Sequence, residues 1–202
     1  ALFNLNEIVF PAGILQPPFF DFEADNAENY GAIGSVIGHE ITHGFDDKGS
    51  QFDAEGNMRS WRTDEDKANF EKLASVLEEQ ANNYQVLPDL KLNGKLTLGE
   101  NIADIGGIEI ALDAFERSLS REPLPDVDGF TPVQRFFLSH ARSEGENERD
   151  EKLRNRVLTD PHSPAEFRSN GVVKNVDRFY EAFAVKPEDG MYIAPETRVK
   201  IW

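Results

Sequence analysis

The sequence predicts a mainly α-helical domain with a small β-sheet, an α+β fold. Six segments repeat apolar residues at the three-to-four-residue spacing of a helix, whereas few short runs look like strands. Hydrophobic residues make up 39% of the 202-residue chain, and its 15 Gly raise the apolar share to about 46%, inside the usual range of globular proteins. We therefore expect a packed core and a single domain over residues 1–202.

The N-terminal quarter predicts one strand, one long helix and one hairpin. Residues 7–10 resemble a short strand that Pro11 ends, and a Pro-rich irregular stretch follows. A helix is predicted from Glu28 to Phe45. Its apolar positions are expected to form one buried stripe: Ile33, Val36, Ile37 and Ile41. Residues 49–59 predict a polar hairpin, because a Gly-Asn pair separates two short runs.

Two longer helices are predicted in the middle of the chain. Thr63 has the pattern of a helix start, and apolar residues at helical spacing continue to Tyr84, before Pro88. A second helix is predicted from about Leu98 to Leu119, with Gly106-Gly107 inside it. Each such Gly costs roughly 1 kcal/mol relative to Ala. We therefore expect the pair to mark a close contact with another helix.

The last third predicts shorter helices. Thr131 to Gln134 forms a capping box with Pro at the first helical position, and Ser163 to Glu166 has the same pattern. The mixed-charge run from Glu144 to Arg156 is interpreted as the solvated face of a helix. Asn175 is expected to open the last helix.

Composition excludes several classes of protein. With 21 Lys and Arg against 37 Asp and Glu, the net charge is −16, which opposes binding to nucleic acid or to an anionic membrane. No apolar stretch approaches the roughly 18 residues of a membrane span, so we expect no membrane contact from this segment. The absence of Cys excludes disulfides and thiolate metal sites. It leaves the compartment open, with a bacterial extracytoplasmic location (periplasmic or secreted) favoured over the cytoplasm.

One motif carries chemistry. His39-Glu40-Ile41-Thr42-His43 is an H-E-x-x-H pattern inside a predicted helix. Two His four residues apart lie on one helical face, where both can bind one Zn²⁺, and Glu40 would lie beside a metal-bound water. The alternative is a solvated helix that carries two His by coincidence.

A catalytic zinc takes three protein ligands, so a third is needed. Without Cys, it must be His, Asp or Glu. Glu100 and Asp104 lie four residues apart, on one face of the second predicted long helix. Glu100 could bind the metal and Asp104 could accept a hydrogen bond from a ligand imidazole. Both could equally be the ordinary acidic first turn of a helix.

The chain closely resembles the neprilysin and endothelin-converting enzyme family of zinc endopeptidases, including its bacterial endopeptidase O branch. The resemblance spans essentially the whole chain in order. It rests on NEIVFPAGILQPPFF over residues 6–20, VIGHEITHGFDD over residues 36–47, LGENIAD over residues 98–104, DPHSPAEFR over residues 160–168 and RVKIW over residues 198–202.

This resemblance implies a thermolysin-like zincin (gluzincin) catalytic domain that lacks an N-terminal helical lid domain. It implies one zinc ion per chain, held by His39, His43 and Glu100. It also implies four further roles: Glu40 as general base, Asp104 as the orienting carboxylate, His162 as transition-state stabiliser and Arg168 as a binder of a substrate carbonyl. Without the resemblance, His162 would be taken for a loop residue and Arg168 for a surface charge.

The resemblance also implies a substrate pocket with four apolar wall residues, for which ordinary core packing is the alternative: Ile14, Phe19, Phe20 and Val36. Residues 141–144 depart from the family, because relatives place an apolar residue and Trp there. A strict preference for large hydrophobic side chains is therefore not expected. His140 matches no family motif and is expected to be a packing or surface residue.

These patterns lead to one main hypothesis, a zinc endopeptidase that hydrolyses short peptides with Glu40 as general base. The main alternative is a non-catalytic, zinc-stabilised domain that binds peptides or proteins. A third possibility is an acidic helical interaction module in which the motif is coincidental.

Overall fold

The computed structural model describes residues 1–201, and it is mainly helical with a small sheet, as predicted. The α-helices within this range are α1 Asn26–Asn29, α2 Ser35–Thr42, α3 Asp64–Asn82, α4 Gly94–Leu119, α5 Pro132–Ser143, α6 Asp150–Thr159 and α7 Asp177–Phe183. The strands are β1 Gln85–Leu87 and β2 Leu90–Lys91, an antiparallel pair. No helix within residues 1–201 combines the length and apolar character that a membrane crossing requires.

The predicted helix of residues 28–45 is one helical run with a change of pitch inside it. A π-helical turn, Tyr30–Gly34, joins α1 to α2, and a 3₁₀ turn, His43–Phe45, ends the run. The predicted buried stripe is wrong beyond this turn, since Ile37 and Ile41 are each 40% exposed. A π turn holds one residue more than an α turn, so residues after it leave the face that regular 3.6-residue counting gives them.

The main core surrounds α4. Its fully buried residues from α4, α3 and α5 pack in one cluster: Leu77, Ile102, Ile105, Ile108, Phe115 and Phe136. Phe115 and Phe136 stack with ring centroids 5.7 Å apart. Burying an aromatic or aliphatic side chain of this kind contributes about 1.5–3 kcal/mol, so α4 is the most firmly held helix of the fold.

The predicted helix starts at Thr63 and Thr131 are confirmed, and both capping residues are exposed to solvent. Thr63 caps α3 and Thr131 caps α5, each with the reciprocal bond of a capping box. Such caps depend only on residues within one turn. A helical run also begins at Ala165, as the pattern at Ser163 to Glu166 predicts, and it continues into the π turn Phe167–Gly171. Ser163 does not cap it, because its buried hydroxyl donates to Asn101 Oδ1 instead.

Four other boundaries differ from the predictions. Residues 7–10 form no strand: within the described chain their one β-bridge joins Glu7 to Leu2, and a lone strand leaves its backbone unpaired. Residues 49–59 form only the Phe52 to Met58 bridge of the predicted hairpin. The helix expected over 144–156 begins at Asp150. The last helix begins at Asp177, since Asn175 is buried and donates to and accepts from other segments.

Candidate metal centre

The close approach of α2 to α4 builds the centre. A Cβ atom at Gly107 would lie 2.6 Å from the Ser35 carbonyl oxygen and 2.7 Å from the His39 backbone nitrogen. A Cβ atom at Gly38 would lie 2.6 Å from the Gly107 carbonyl oxygen. The predicted helix contact is therefore confirmed at Gly106-Gly107. It brings the His-bearing face of α2 against the first turns of α4, which carry Glu100.

Three imidazole nitrogens converge on one carboxylate oxygen. Glu100 Oε2 lies 3.2 Å from His39 Nε2, 3.4 Å from His43 Nε2 and 3.3 Å from His162 Nε2. The ligand atoms of His39, His43 and Glu100 all lie within 4.8 Å of one another. Glu100 Oε2 is nevertheless buried without a hydrogen-bond partner among the described residues. A buried carboxylate oxygen of this kind needs a cation or a donor to offset its desolvation.

The opposite nitrogen of each motif imidazole, His39 on α2 and His43 in the 3₁₀ turn that follows it, faces its own carboxylate. His39 Nδ1 lies 2.7 Å from Asp104 Oδ1, and His43 Nδ1 lies 2.7 Å from Asp46 Oδ2. Asp46 is itself fixed, since its other oxygen accepts from the backbone N–H groups of Lys48 and Gly49 at 2.7 and 2.6 Å. Because each Nδ1 lies against a carboxylate, Nδ1 carries the proton in the neutral imidazole, and Nε2, which faces Glu100, is left to bind a metal. That tautomer is the one a metal ligand requires.

The donor set fits zinc. Two imidazole nitrogens and one carboxylate oxygen form a common zinc set that leaves a fourth position for water. A tetrahedron with bonds of about 2.0–2.1 Å has edges of about 3.3 Å. The separations of 3.2 and 3.4 Å between Glu100 Oε2 and the two Nε2 atoms agree with such edges.

The electrostatics of the protein groups favour positive charge at this point. Burial lowers the pKa of His39, but Asp104 and Glu100 outweigh it and raise that pKa to about 9. Burial also lowers the pKa of His43, but the contacts with Asp46 and Glu100 outweigh it and raise that pKa to about 9. Burial raises the pKa of Glu100, but His39 and His43 hold it well below its usual range. A divalent cation supplies the same positive charge without protonating the ligands.

Asp104 also connects the centre to Arg168. Arg168 donates from Nε and Nη2 to the two oxygens of Asp104 at 2.9 and 2.6 Å. Its third nitrogen, Nη1, lies 3.5 Å from Glu144 Oε2. Burial raises the pKa of Asp104, but Arg168 and His39 hold it far below its usual range. Asp104 is therefore an anion shared between an imidazole and a guanidinium.

His162 lies on the opposite wall of the centre. Asp160 Oδ1 accepts from the His162 backbone N–H at 2.8 Å and also lies 2.8 Å from its Nδ1. This contact directs Nε2 toward Glu100. Asp160 and Asp46 were not predicted from the sequence as partners of the imidazoles. Their spacing of two or three residues from a functional His was the available signal.

Glu40 lies where three cavities meet. A cavity of about 330 Å³ contains the side chains of the centre, one of about 490 Å³ extends past Phe3 and Trp61, and one of about 200 Å³ extends toward α5. Glu40 lines all three, and it makes an ion pair with the amino group of Ala1. Because they share Glu40, the three cavities adjoin and together form an extended cleft around that residue.

The predicted pocket residues are only partly brought together. Ile14, Phe19 and Val36 line the 200 Å³ cavity, whereas Phe20 is not among its lining residues within the described chain. His140 was expected to be a packing or surface residue. It is buried, but it also lines this cavity.

A helix bearing H-E-x-x-H, packed on a second helix that bears a glutamate, defines a gluzincin fold. The sequence pattern of Peptidase family M13 matches residues 2–199, and the chain belongs to this family. The predicted membership of the neprilysin and endothelin-converting enzyme family is thereby confirmed.

Known relatives match over nearly the whole chain. It is 42% identical to a neutral endopeptidase of Lactobacillus helveticus and 41% identical to human neprilysin, with 98% of the chain covered in each case. The match spans 29% and 27% of those two proteins. Among solved structures, an inhibitor complex of the Mycobacterium tuberculosis zinc metalloprotease ZMP1 matches with a TM-score of 0.96 at 48% identity, over 99% of this chain and 31% of that one. The chain thus spans less than a third of the length of these relatives.

Proposed function

We propose that this chain is the catalytic domain of a zinc-dependent endopeptidase that hydrolyses peptide bonds in short peptides. The observation that carries the proposal is the convergence of His39, His43 and Glu100 beside Glu40, in the middle of an extended cleft. An extended cleft suits a peptide chain that must pass on both sides of the reacting bond. The relatives named above as endopeptidases and as a zinc metalloprotease support the same activity.

His39, His43 and Glu100 would hold one zinc ion per chain. When bound, zinc supplies Lewis-acid polarisation of a carbonyl and lowers the pKa of water to about 7. Asp104 and Asp46 hold the two imidazoles in the required tautomer and orientation. These contacts reduce the reorganisation that the site needs during the reaction.

Glu40 would be the general base. Its carboxylate is not among the groups that converge as ligands, but it lines the same cavity. It can take the proton of the water that attacks the peptide carbonyl and return it to the leaving amine. A positioned base of this kind typically contributes about 10²–10⁴-fold to the rate.

His162 and Arg168 would act on the carbonyl groups of the substrate. With Nδ1–H donating to Asp160, His162 donates from Nε2 only as the imidazolium, which suits a developing oxyanion. Arg168 lines the cavity next to Glu40 and is held in position by Asp104. The N–H groups of Arg168 that do not bind Asp104 could donate to a neighbouring carbonyl while the scissile bond is positioned.

Peptide hydrolysis by Glu40→Gln in the full-length, zinc-loaded protein tests the proposal. We expect a fall in kcat of about 10²–10⁴-fold with unchanged zinc content, since the amide cannot accept the proton and Glu40 is not a ligand. The control is Glu151→Gln, which makes the same change at an exposed residue of α6. A wild-type protein that binds zinc and cleaves no peptide would favour the zinc-stabilised binding domain instead.

A further inference from the structure

The 200 Å³ cavity next to Glu40 has an unusual lining. Its apolar lining residues are Ile14, Phe19 and Val36. Its polar lining residues include Glu144, Arg168 and His140, beside residues of the metal centre. A cavity lined by both kinds of residue matches a long side chain with a polar tip.

Glu144 adds negative charge to this cavity. Its side chain is only 14% exposed, and its one ion pair among the described residues is the 3.5 Å contact with Arg168 Nη1. Arg168 already binds both oxygens of Asp104, so its charge is matched there. The three groups together have a net charge of −1. Apart from this contact with Arg168, the Glu144 carboxylate has no donor among the described residues.

His140 lines the same cavity, but its unpaired nitrogen is buried. It is 4% exposed, and its Nδ1 is buried without a hydrogen-bond partner among the described residues. Its Nε2 lies 3.4 Å from the Arg168 carbonyl oxygen, which can only accept, so the proton belongs on Nε2. Burial lowers the pKa of His140 to about 4, which keeps the imidazole neutral at pH 7. The Nδ1 lone pair therefore stays buried, and Glu144 supplies the acceptor for a substrate side chain.

We propose that this cavity selects a substrate side chain that ends in a hydrogen-bond donor, with the basic side chain of lysine as the best match. The inference rests on the proposed function, because it concerns the substrate of the same site. The methylene groups would contact Ile14, Phe19 and Val36, while the ammonium group pairs with the carboxylate of Glu144. An acidic side chain would meet Glu144 with like charge, and an apolar one would leave the Glu144 carboxylate without a donor.

Matched peptides test the specificity directly. The series carries Lys, Met or Glu at one position flanking the cleaved bond, first on one side and then on the other. Met has a similar length to Lys without the donor. Each peptide is assayed with the full-length, zinc-loaded wild type and with Glu144→Gln, Glu144→Asp and Glu151→Gln. The Asp variant keeps the charge, and Glu151 is the exposed control.

At one of the two positions, wild type should cleave the Lys peptide with kcat/KM about tenfold above the Met peptide, equivalent to about 1.4 kcal/mol. The preference should disappear in Glu144→Gln and persist in Glu144→Asp and Glu151→Gln. Equal or better cleavage of the Met peptide by wild type would overturn the inference while the proposed function stands. So would an equal fall for both peptides in Glu144→Gln, since that result indicates a purely structural role.

Binding provides a readout that needs no turnover. Titration of the same uncleaved peptides into the Glu40→Gln variant should give a Kd for the Lys peptide about tenfold below that of the Met peptide. Equal Kd values would overturn the inference. If wild type cleaves no peptide in a zinc-dependent manner, the proposed function fails and the inference fails with it.

Discussion

Replacing Gly107 by Ala tests whether the α2–α4 contact holds the metal centre in place. The added Cβ would lie 2.6 Å from the Ser35 carbonyl oxygen, 0.8 Å short of the 3.4 Å at which ordinary contact begins. It would also lie 2.7 Å from the His39 backbone nitrogen. Both obstructing atoms belong to the backbone, so no side chain can rotate away. Helix α2 must move, and His39 moves with it.

Overpacking of a tight contact costs about 1–3 kcal/mol, and rigid backbone neighbours place this variant near 3 kcal/mol. At about 2–4 °C per kcal/mol, Tm should fall by roughly 6–12 °C. Zinc affinity should also fall about tenfold or more, because His39 is displaced from Glu100. Thermal unfolding followed by circular dichroism and competition with a chromophoric chelator measure the two effects.

The matched control is Gly190→Ala, since a Cβ at Gly190 would meet no atom within 4 Å. It should leave both quantities within error of wild type. The reasoning is refuted if Gly107→Ala unfolds within 1 °C of wild type and binds zinc equally well. A loss of stability with unchanged zinc affinity would show that α2 moves without carrying His39 away from Glu100.

Three other outcomes follow from the same contacts. Asp104→Asn should weaken zinc binding about 10–100-fold, measured by chelator competition, whereas the exposed control Asp113→Asn should not. Without zinc, protonated His39 and His43 stabilise the fold fully below pH 6.5, and this contribution is lost as pH rises toward their folded pKa of about 9, so Tm of metal-free protein should fall over that window. A Tm that rises over this pH range would contradict a stabilising role for the ion pairs of His39 and His43 with their carboxylates. Thr131→Ala should lower the unfolding free energy by about 1 kcal/mol in urea titration while zinc affinity stays constant.

Sequence patterns predict the parts of this fold that local chemistry decides. Two such parts are the capping boxes at Thr63 and Thr131 and the pair of His39 with His43, since each depends on residues about one turn apart. The Gly106-Gly107 pair predicts a close contact with another helix, because Gly destabilises a helix interior and such a contact requires the absence of a side chain. It gives no sign of which helix approaches.

Features that depend on distant segments could not be predicted in this way. The π turn before α2 changes the exposed face, and no residue of Tyr30–Gly34 marks it. Ser163 has the pattern of a cap, but the fold places it against Asn101, which lies 62 residues away. The cavity at His140 and Glu144 likewise exists only because α5 packs beside the centre.

The central claim is that His39, His43 and Glu100 together hold one zinc ion. Zinc titration into metal-free protein, with metal content measured by mass spectrometry, tests it most directly. Wild type should bind one zinc per chain, and Glu100→Gln should bind it at least about tenfold more weakly, since an amide oxygen replaces the anionic ligand. Wild type without stoichiometric zinc, or a Glu100→Gln variant that binds zinc as tightly as wild type, would contradict the claim.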